Sequence, residues 1–494
     1  MNTIPEMLKT VAKQNAGRTA IVDEGVAIDY ATLERRITSL AAELYGRGIR
    51  QGDRVALLLP NGLDFVIGYF AIAALGVIVV PLNDHYQQTE LLYFLEECGV
   101  SLVITSQSFA RLCDQVLSMC RSPCKLIFVE DQTEPSETAL TSLPDLKVEI
   151  DPDAPVMYQF SSGSTGRPKR VARTHANLLF ELNSLVQTLR LSNEDRFLGV
   201  APFSHVNGLM RSMMASIRAG AALYPLAKFE RQAIAEVIEN QKITIFIAVP
   251  FMFSMIAKTN FRKRPDFSSL RLCVSASAPM PKKLNEEFYK KFWIYVRQLY
   301  GSTETGTISV NLRSDIEGSI ESVGTTISGV EVEIFAEDGC IGNVGEGGEI
   351  AVKSPGAIKG YDGLDEVNRE VFRNGYFFTG DLGKKDQGGL LYLIGRKKFF
   401  INKGGYKIDP HEIEELLESH AKVEEAVVIG LPTSYGDEKV KAVIVLNIPT
   451  TEEEIIKYCQ GKIADFKIPS LIEFRGSLPK SPTGKVLRKM LMES

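Results

Sequence analysis

Residues 160–169 read Phe-Ser-Ser-Gly-Ser-Thr-Gly-Arg-Pro-Lys, and this segment decides how the chain around it is interpreted. Glycines allow backbone conformations that are closed to other residues, so several N–H groups can converge on one anion. The hydroxyl side chains add donors, and Lys169 adds a positive charge. The segment therefore predicts a phosphate-binding loop, although it lacks the Gly-Lys-Ser/Thr ending of the Walker A motif. Taken alone, the same composition is also typical of a flexible linker.

The composition is that of an ordinary globular protein. The chain has 494 residues, too many for a single hydrophobic core, so about two to four domains are expected. Apolar residues make up 45% and charged residues 24%, and the formal net charge is -5. Because the charge is nearly balanced and no dense basic stripe occurs, nucleic acid is not an expected partner. The seven scattered cysteines fit a reducing compartment and predict a cytoplasmic location.

Helix-like and strand-like patterns alternate through the first half of the chain, which is typical of an open α/β sheet. Ligands of such sheets bind beyond the carboxyl ends of the strands. A strand predicted at 154–160 leads directly into the phosphate-loop segment, so the loop has a suitable place. The other predicted elements are helices at 30–47 and 65–75 and strands at 55–59, 77–80, 101–105 and 126–129.

One apolar segment imitates a membrane span. Residues 65–82 carry no charged side chain and reach the length that a spanning helix needs. Gly76 divides the segment, however, and the residues behind it are β-branched. The pattern predicts a buried helix, a glycine cap and a strand, and no transmembrane segment is expected.

The sequence pattern changes near residue 320, where short strands at 331–335 and 349–352 predict a β subdomain. Beyond residue 397 the pattern becomes a short α+β unit, with helices at 410–418 and 452–463 and strands at 425–429 and 441–446. We therefore predict a large N-terminal domain of α/β sheets at 1–397. A small mobile C-terminal domain is predicted at 398–494.

Four further motifs follow the glycine-rich segment in order. They are Pro-Phe-Ser-His at 202–205, Gln-Leu-Tyr-Gly-Ser-Thr-Glu at 298–304, Thr-Gly-Asp at 379–381 with Gly-Arg at 395–396, and Pro-Lys-Ser-Pro-Thr-Gly-Lys at 479–485. Together with residues 161–169 they resemble the motifs of the adenylate-forming (AMP-binding) ligases, in particular acyl-CoA synthetases of the 4-coumarate-CoA ligase type. The resemblance covers roughly residues 20–490 and implies that this is an AMP-forming acid–thiol ligase.

The residue types suit that chemistry. A carboxylate is a poor acylating agent until it is joined to AMP, and a thiol can then take the acyl group. The first step needs charge neutralisation around a triphosphate, which is mostly positioning and electrostatics. The resemblance implies ATP and Mg²⁺ for this step and CoA as the co-substrate of the second. Glu304 would bind Mg²⁺, a cation that prefers carboxylate and phosphate oxygens.

The nucleotide-binding residues implied by the resemblance lie in three of the five motifs and in the segment at 275–279, which would line the adenine together with Gln298. Thr303 would donate to the α-phosphate, and Asp381 would accept from the ribose hydroxyls, with Arg396 beside it. The full set is Ser161, Ser162, Gly163, Ser164, Thr165, Gly166, Lys169, Ser277, Ala278, Gln298, Tyr300, Gly301, Thr303, Asp381 and Arg396.

Three further residues have implied catalytic roles. Lys485 would bridge the α-phosphate and the substrate carboxylate, although a solvated basic tail is the alternative interpretation of this charge run. Lys398 is at the hinge position, where a large backbone change can swing a small domain between two poses. His205 matches a gate between the thiol tunnel and the acyl pocket, or else is a structural histidine.

The acyl pocket is expected to hold an acid that has no amine. Amino-acid adenylation domains carry an aspartate just after the motif that contains His205, and residues 206–210 contain no acid. A small dicarboxylate would need a dedicated cation, for which Arg211 and Arg297 are the candidates. A fatty or aryl acid is favoured because most of the pocket positions are apolar or small. Those positions are His205, Val206, Met210, Phe251, Ser275, Ala276 and Thr305.

Two other functions stay open at this point. A standalone ligase that loads a separate carrier protein would use the same motifs, and only dependence on CoA separates the two. A nucleotide-binding pseudoenzyme is disfavoured because Lys169, Glu304, Asp381, Arg396 and Lys485 are all present. A monomer or a homodimer is expected.

Overall fold

The computed structural model describes residues 1–131, 148–161, 169–397, 401–403, 406–432, 438–460, 462–463, 465–481 and 484–492. Within these ranges helices and strands alternate, so the predicted α/β fold class is confirmed. The helices are α1 Ile4–Gln14, α2 Tyr30–Gly46, α3 Leu63–Ala74, α4 Gln88–Cys98, α5 Ala110–Leu117, α6 His175–Leu189, α7 Ala215–Ala219, α8 Arg231–Gln241, α9 Pro250–Lys258, α10 Lys282–Phe292, α11 Asp365–Val371, α12 Pro410–Glu418, α13 Glu452–Cys459 and α14 Arg488–Met492. A π-helix occupies Asn207–Met214.

The strands follow the same numbering by chain order. They are β1 Thr19–Asp23, β2 Val26–Asp29, β3 Arg54–Leu58, β4 Ile78–Pro81, β5 Leu102–Thr105, β6 Lys125–Phe128, β7 Pro155–Ser161, β8 Lys169–Thr174, β9 Arg196–Gly199, β10 Ala222–Pro225, β11 Ile245–Ala248, β12 Leu272–Ser275, β13 Arg297–Ser302, β14 Gly306–Val310, β15 Thr325–Thr326, β16 Glu331–Phe335, β17 Gly348–Lys353, β18 Phe372–Arg373, β19 Tyr376–Lys385, β20 Leu391–Arg396, β21 Ile401–Lys403, β22 Tyr406–Ile408, β23 Val423–Pro432, β24 Glu438–Leu446 and β25 Leu471–Arg475.

A six-stranded sheet carries the first glycine-rich motif. Its order is β6-β5-β3-β4-β7-β8, and the pairs are parallel except for the antiparallel pair β7–β8. Strands β4 and β5 are buried along their whole length, as expected for parallel strands covered on both faces. The β7–β8 pair ends with Ser161 opposite Lys169. The chain therefore leaves and re-enters this sheet at one point, on either side of the predicted phosphate loop.

A nine-stranded sheet carries the later motifs. Its order is β15-β14-β13-β12-β11-β9-β10-β1-β2, and its centre from β10 to β13 is parallel. The carboxyl ends of β9, β11, β12 and β13 consequently meet at one edge, where ligands of open sheets bind. Strand β14 folds back antiparallel on β13, with an irregularity between Tyr300 and Gly301.

The apolar segment at 65–82 is a buried helix followed by a strand, as predicted. Helix α3 has only 12 residues, and every residue from Phe65 to Ala73 is buried. Gly76 then takes a left-handed φ of +65° before β4 begins. In the part of the chain that the structure describes, no helix is long and apolar enough to cross a membrane.

The remaining strands form smaller sheets. Strands β16 to β20 form a sheet in the order β16-β17-β19-β18, with β20 paired to β19. Near the C-terminus, β23, β24 and β25 form a three-stranded sheet, and β21 pairs with β22. Helices α12 and α13 pack with one face of the three-stranded sheet in a compact apolar core. This is the small α+β unit that the sequence predicts.

The chain divides into two compact units. The first comprises Met1–Glu333, Ala351–Phe378 and Gly389–Leu391, and the second comprises Ile334–Ile350, Thr379–Gly388 and Tyr392–Ser494. Part of the predicted β subdomain therefore groups with the C-terminal residues. The domain boundary at residue 397 stays a prediction.

Candidate active site

The predicted phosphate loop begins and ends on the β7–β8 hairpin. Ser161 and Lys169 are partners at the end of the pair, and seven residues separate them in the sequence. Its members Ser162, Gly163, Ser164, Thr165 and Gly166 lie outside the described residues.

Glu304 lies beside this hairpin in a buried cluster. The Tyr361 hydroxyl donates a hydrogen bond to Glu304 Oε1 at 2.8 Å, and the Ile358 N–H donates to the Glu304 carbonyl at 2.9 Å. Lys169 Nζ lies 5.0 Å from the centroid of the Tyr361 ring, within the range of a cation–π contact. Tyr361 thus joins Glu304 to the lysine of the phosphate loop.

Burial, and next the neighbouring Glu304 carboxylate, raise the pKa of Tyr361 well above its ordinary value. The phenol is therefore a donor throughout the physiological range, and the carboxylate oxygen accepts. This fixes the carboxyl plane of Glu304, which is itself 8% exposed.

The residues at Glu304 fit a magnesium ion that arrives with ATP. Mg²⁺ is usually bound by one or two carboxylates together with substrate phosphates, rather than by an all-protein cage. Glu304 supplies such a carboxylate near the phosphate-loop lysine. Within the described residues, no group of three or more His, Cys, Asp or Glu side chains forms a metal site. A cation here would complete its coordination with phosphate oxygens and water.

The backbone before Glu304 is tightly held. Ser302 Oγ lies 3.0 Å from Thr305 Oγ1 and accepts from the Thr305 N–H at 3.2 Å, which closes the turn that carries Thr303. A Cβ atom on Gly301 would lie 2.3 Å from the Gly306 carbonyl oxygen and 2.6 Å from Arg211 Nη2. Glycine is therefore required at position 301 by close approach on both sides.

The loop that carries His205 is held by the side chains of Asn61 and Asn83. The Asn61 side chain accepts from the Phe203 N–H at 2.7 Å and donates to the Ala201 carbonyl at 3.0 Å. His205 Nε2 lies 3.2 Å from Asn83 Nδ2. Burial lowers the pKa of His205 to about 4, so the ring is neutral at physiological pH. With Asn83 as a donor, Nε2 is the acceptor and the proton lies on Nδ1.

The predicted acyl-pocket residues separate into two groups. Met210, Ser275, Ala276 and Thr305 are buried, and His205 and Val206 are half-buried at the entry to the π-helix. Phe251, in contrast, is 42% exposed on α9.

The predicted adenine segment follows β12. Gln298 is buried, and both ends of its amide are used: Oε1 accepts from the Met280 N–H at 2.9 Å, and Nε2 donates to the Ile320 carbonyl at 2.8 Å. It positions the segment, and its contact with adenine stays a prediction. Ser277 is exposed and has a φ of +74°, a conformation that costs energy in a non-glycine residue. Ala278 beside it is exposed as well.

In the second compact unit, Asp381 and Arg396 are direct partners. Arg396 Nε donates to Asp381 Oδ1, and the Asp381 N–H donates to Thr379 Oγ1 at 3.0 Å. Gly380, between Thr379 and Asp381, has a φ of +73°. Asp381 and Arg396, for which the sequence predicts ribose contacts, therefore form an ion pair in which the guanidinium donates to one carboxylate oxygen.

Lys485 is exposed on a tight turn in the same unit. The Ser481 N–H donates to the Lys485 carbonyl at 2.7 Å, and the Lys485 N–H donates to Ser481 Oγ at 3.2 Å. Directly beyond the turn, Arg488 pairs with buried Glu414 through two contacts of 2.6 and 2.8 Å. Hydrogen bonds thus link Ser481 to Lys485, and the pair of Arg488 and Glu414 holds the residues just beyond. Lys398, the predicted hinge, lies outside the described residues.

Sequence reasoning missed several residues of this site. Tyr361 carries no motif and lies 57 positions from Glu304, so only the fold brings the two together. Asn83 and Asn61 act on the His205 loop from elements more than one hundred residues away. An isolated asparagine gives no sequence signal for such a role.

Two family models match the chain. The AMP-binding enzyme model covers residues 8–362, and the model of the AMP-binding enzyme C-terminal domain covers residues 412–485. A long-chain-fatty-acid–CoA ligase of Bacillus subtilis (strain 168) is 31% identical, over 99% of this chain and 94% of that protein. A feruloyl-CoA synthase of Amycolatopsis sp is 32% identical, over 97% of this chain and 96% of that protein.

Solved structures agree with the fold. The o-succinylbenzoate CoA synthetase (MenE) from Bacillus subtilis, in complex with its acyl-adenylate intermediate, has a TM-score of 0.87 and 29% identity, covering 99% of this chain and 98% of that chain. The same enzyme in complex with ATP and a magnesium ion has a TM-score of 0.86 and 29% identity, covering 99% of both chains.

Proposed function

We propose a fatty or aryl acid without an amino group as the substrate of this chain, which belongs to the AMP-binding enzyme family. The chain is an AMP-forming acid–thiol ligase, an acyl-CoA synthetase. It activates a carboxylic acid with ATP to an acyl-adenylate, releases pyrophosphate and transfers the acyl group to CoA. ATP and Mg²⁺ serve the first half-reaction, and CoA is the co-substrate of the second.

The observation that carries the adenylation site is the cluster of Lys169, Tyr361 and Glu304. A cation at the phosphate loop and a fixed carboxylate beside it are the charged groups that a nucleoside triphosphate with its metal requires. When bound, Mg²⁺ would neutralise charge on the phosphates. Tyr361 holds Glu304 in place, and Lys169, which lies 5.0 Å from the Tyr361 ring, would bind phosphate oxygens.

The remaining residue roles are part of this proposal. Thr303 donates to the α-phosphate, Asp381 binds the ribose hydroxyls, and Lys485 neutralises charge as the substrate carboxylate attacks phosphorus. We further propose that residues 398–494 form a mobile domain hinged at Lys398. One pose would deliver Lys485 for adenylation, and the other would open the way for CoA.

The acid is argued from the acyl-pocket residues and from the relatives. Met210, Ala276 and Thr305 offer a buried, mainly apolar environment. An ammonium group placed there would need a carboxylate partner, since an unpaired buried charge is strongly unfavourable. Residues 206–210 supply no acid. The relatives named for long-chain fatty acids and for feruloyl-CoA support both branches of the proposal, fatty and aryl.

A carrier protein in place of CoA is not favoured, because the relatives are CoA ligases. A cytoplasmic location and a monomeric or homodimeric state complete the proposal.

The test is pyrophosphate release from ATP across a panel of fatty, aryl and amino acids, with and without CoA. We expect one class of fatty or aryl acid to give turnover that rises with CoA, and no turnover with amino acids. Acid-dependent exchange of pyrophosphate into ATP with no CoA-dependent pyrophosphate release and no acyl-CoA formed would contradict the CoA-ligase assignment. Turnover with an amino acid would contradict the substrate proposal.

A further inference from the structure

Three charged side chains are buried in one hydrogen-bonded cluster of the first compact unit. Arg173 and Glu181 form an ion pair at 2.9 Å with side chains 0% and 1% exposed, and Arg211 on the π-helix is 2% exposed. Glu181 is already saturated: Oε2 accepts from Arg173, and Oε1 accepts from the Thr307 N–H at 2.9 Å and the Thr307 hydroxyl at 2.8 Å. These three side chains contain two cations and one anion.

Arg211 is held in one orientation. Its Nε donates to Thr307 Oγ1 at 3.0 Å, and that hydroxyl donates onward to Glu181. Nη1 lies 3.5 Å from Asn207 Oδ1, at the limit of a hydrogen bond. Burial, partly opposed by Glu181, lowers the pKa of Arg211 to about 10, so the side chain is still protonated at neutral pH.

One nitrogen of this fixed cation, Arg211 Nη2, has no acceptor within hydrogen-bond distance among the described residues. The atom lies against Gly301, where a Cβ would be only 2.6 Å away, so it reaches the segment that continues into Thr303 and Glu304. Leaving a buried charged donor unpaired is strongly unfavourable. The arrangement fits an anion supplied by a ligand.

The other candidate cation, Arg297, donates to backbone carbonyl oxygens. Arg297 Nη1 donates to the carbonyl oxygens of Asn311 and Arg313 at 3.2 and 2.9 Å. Arg297 thereby joins β13 to the chain beyond β14. The structure thus distinguishes two arginines that the sequence could not rank.

We propose that Arg211 binds a second carboxylate of the acid substrate, so that the enzyme acts on dicarboxylic acids and activates the carboxyl group distant from Arg211. This inference rests on the proposed function and narrows it: the fatty or aryl body of the acid carries a terminal carboxylate. The fixed guanidinium is suited to the task, because its planar fork matches a carboxylate and little orientation is lost on binding.

The test compares matched acid pairs that differ only in the second carboxylate: hexanoate with adipate, octanoate with suberate, and cinnamate with 4-carboxycinnamate. Acid-dependent pyrophosphate exchange gives kcat and KM for each acid in the wild type, in Arg211→Met and in the control Arg297→Met. We expect the wild type to prefer the dicarboxylate of at least one pair. Arg211→Met should lower kcat/KM for that dicarboxylate by about 10- to 100-fold, mainly through KM, and leave the monocarboxylate within about twofold.

Two further variants keep the result interpretable. Arg211→Lys keeps the charge and should recover part of the dicarboxylate preference, whereas Arg297→Met should leave the preference unchanged. If Arg211→Met does not fold, Thr307→Val removes the acceptor that orients Nε and should show the same selective loss, reduced in size.

Three results would overturn the inference. Equal losses for both members of each pair would mean that Arg211 serves the reacting carboxylate or the fold. A wild type that prefers the monocarboxylate in every pair would exclude a second carboxylate as the ligand. In both cases turnover itself persists, so the proposed function stands. No acid-dependent pyrophosphate exchange with any acid would instead refute the proposed function, and the inference with it.

Discussion

Glu304 and Lys485 have opposite charges and lie in opposite environments, one buried and the other exposed. Glu304 is buried, its carboxylate is held by Tyr361, and its backbone carbonyl is held by Ile358. Lys485 is exposed on a turn whose hydrogen bonds run through the backbone and one serine hydroxyl. The Glu304 carboxylate is therefore the fixed group, and Lys485 is the group presented at the surface.

The difference suits a two-step reaction. A carboxylate that binds a metal–phosphate complex gains from preorganisation, since no reorganisation is then needed at the moment of reaction. A lysine that serves one half-reaction must be able to leave before the next. Substitutions at Glu304, Lys485 and their neighbours test whether the fixed carboxylate and the presented lysine have these different roles.

The largest effect is expected for Lys485→Ala. Without the cation, adenylation should fall by about 1000-fold, whereas thioester formation from supplied acyl-adenylate should persist because it needs no charge neutralisation at phosphorus. Pyrophosphate exchange and acyl-CoA formation measure the two halves separately. Lys489→Ala, an exposed lysine nearby, is the control and should retain both. Unchanged adenylation in Lys485→Ala would refute the role.

Lys398→Pro tests the hinge. Because proline fixes φ, we expect thioester formation to fall by at least about 100-fold while adenylation is retained. Lys397→Pro, one residue earlier, is the comparison for a general disturbance of the chain. Loss of both half-reactions, or of neither, would count against a hinge at residue 398.

Glu304→Gln should lower adenylation by about 100-fold and raise the Mg²⁺ concentration needed for half-maximal rate. Glutamine can still accept from Tyr361, so the local fold is retained while the charge is lost. The measurement is a Mg²⁺ titration of pyrophosphate exchange, with exposed Glu321→Gln as the control. A rate loss without any change in Mg²⁺ dependence would remove Glu304 from the metal site.

Tyr361→Phe removes only the hydroxyl that fixes Glu304 and should lower kcat/KM for ATP by about 10-fold. The aromatic ring, which Lys169 contacts, remains. In a double-mutant cycle with Glu304→Gln the two losses should not add, since Tyr361 acts through Glu304. Additive losses would show that the tyrosine contributes independently.

The sequence anticipates much of this fold because the elements have strong local signals. Helix α2 begins at Tyr30 as predicted because the Asp29 side chain caps it by accepting from the Thr32 N–H at 2.7 Å. Helix α12 has the predicted bounds because Pro410 starts it and the preceding Asp409 caps it. The predicted helix at 452–463 is too long: α13 ends at Cys459, where Gln460 turns to an extended conformation.

The sequence predicts a site residue only where that residue lies within a motif. Lys169, Glu304 and Asp381 are visible in the sequence because each lies in a recognisable string. The unpartnered donor of Arg211 is invisible there, since its meaning depends on Thr307 and Glu181 satisfying each other across nearly one hundred and thirty residues. The sequence shows which polar groups exist, and only the fold shows which of them already have hydrogen-bond partners.

A further contrast between the two compact units is expected in the pH dependence of their stability. Burial lowers the pKa of His175 and His205 in the first unit to about 4, below the value near 6.5 of an unfolded chain. Their contribution to stability is complete above pH 6.5 and is lost as the pH falls toward 4, by up to about 3 kcal/mol each. In the second unit, the hydrogen bond to Glu414 raises the pKa of His411. Its contribution is complete below pH 6.5 and is lost as the pH rises through the raised pKa.

Hydrogen exchange of buried amides between pH 5 and 8 measures this contrast. We expect protection in α6, which His175 begins, to decrease on mild acidification, and protection in α12 to increase. Burial of Glu418, which raises its pKa to about 7, acts in the same direction as His411. His411→Gln should weaken the response of α12 alone. Parallel changes in both helices would contradict the assignment.

The π-helix at Asn207–Met214 makes the position of Arg211 depend on a single residue of chain length. Its wider turn accommodates one more residue than an α-helix would over the same path. Loss of one residue from this segment would let it wind as an α-helix while the flanking elements keep their register, and the side chains within it would change direction. The Arg211 guanidinium, which lies against Gly301, would then be displaced. A one-codon deletion would therefore change the charge beside Gly301 without replacing any of the neighbouring residues.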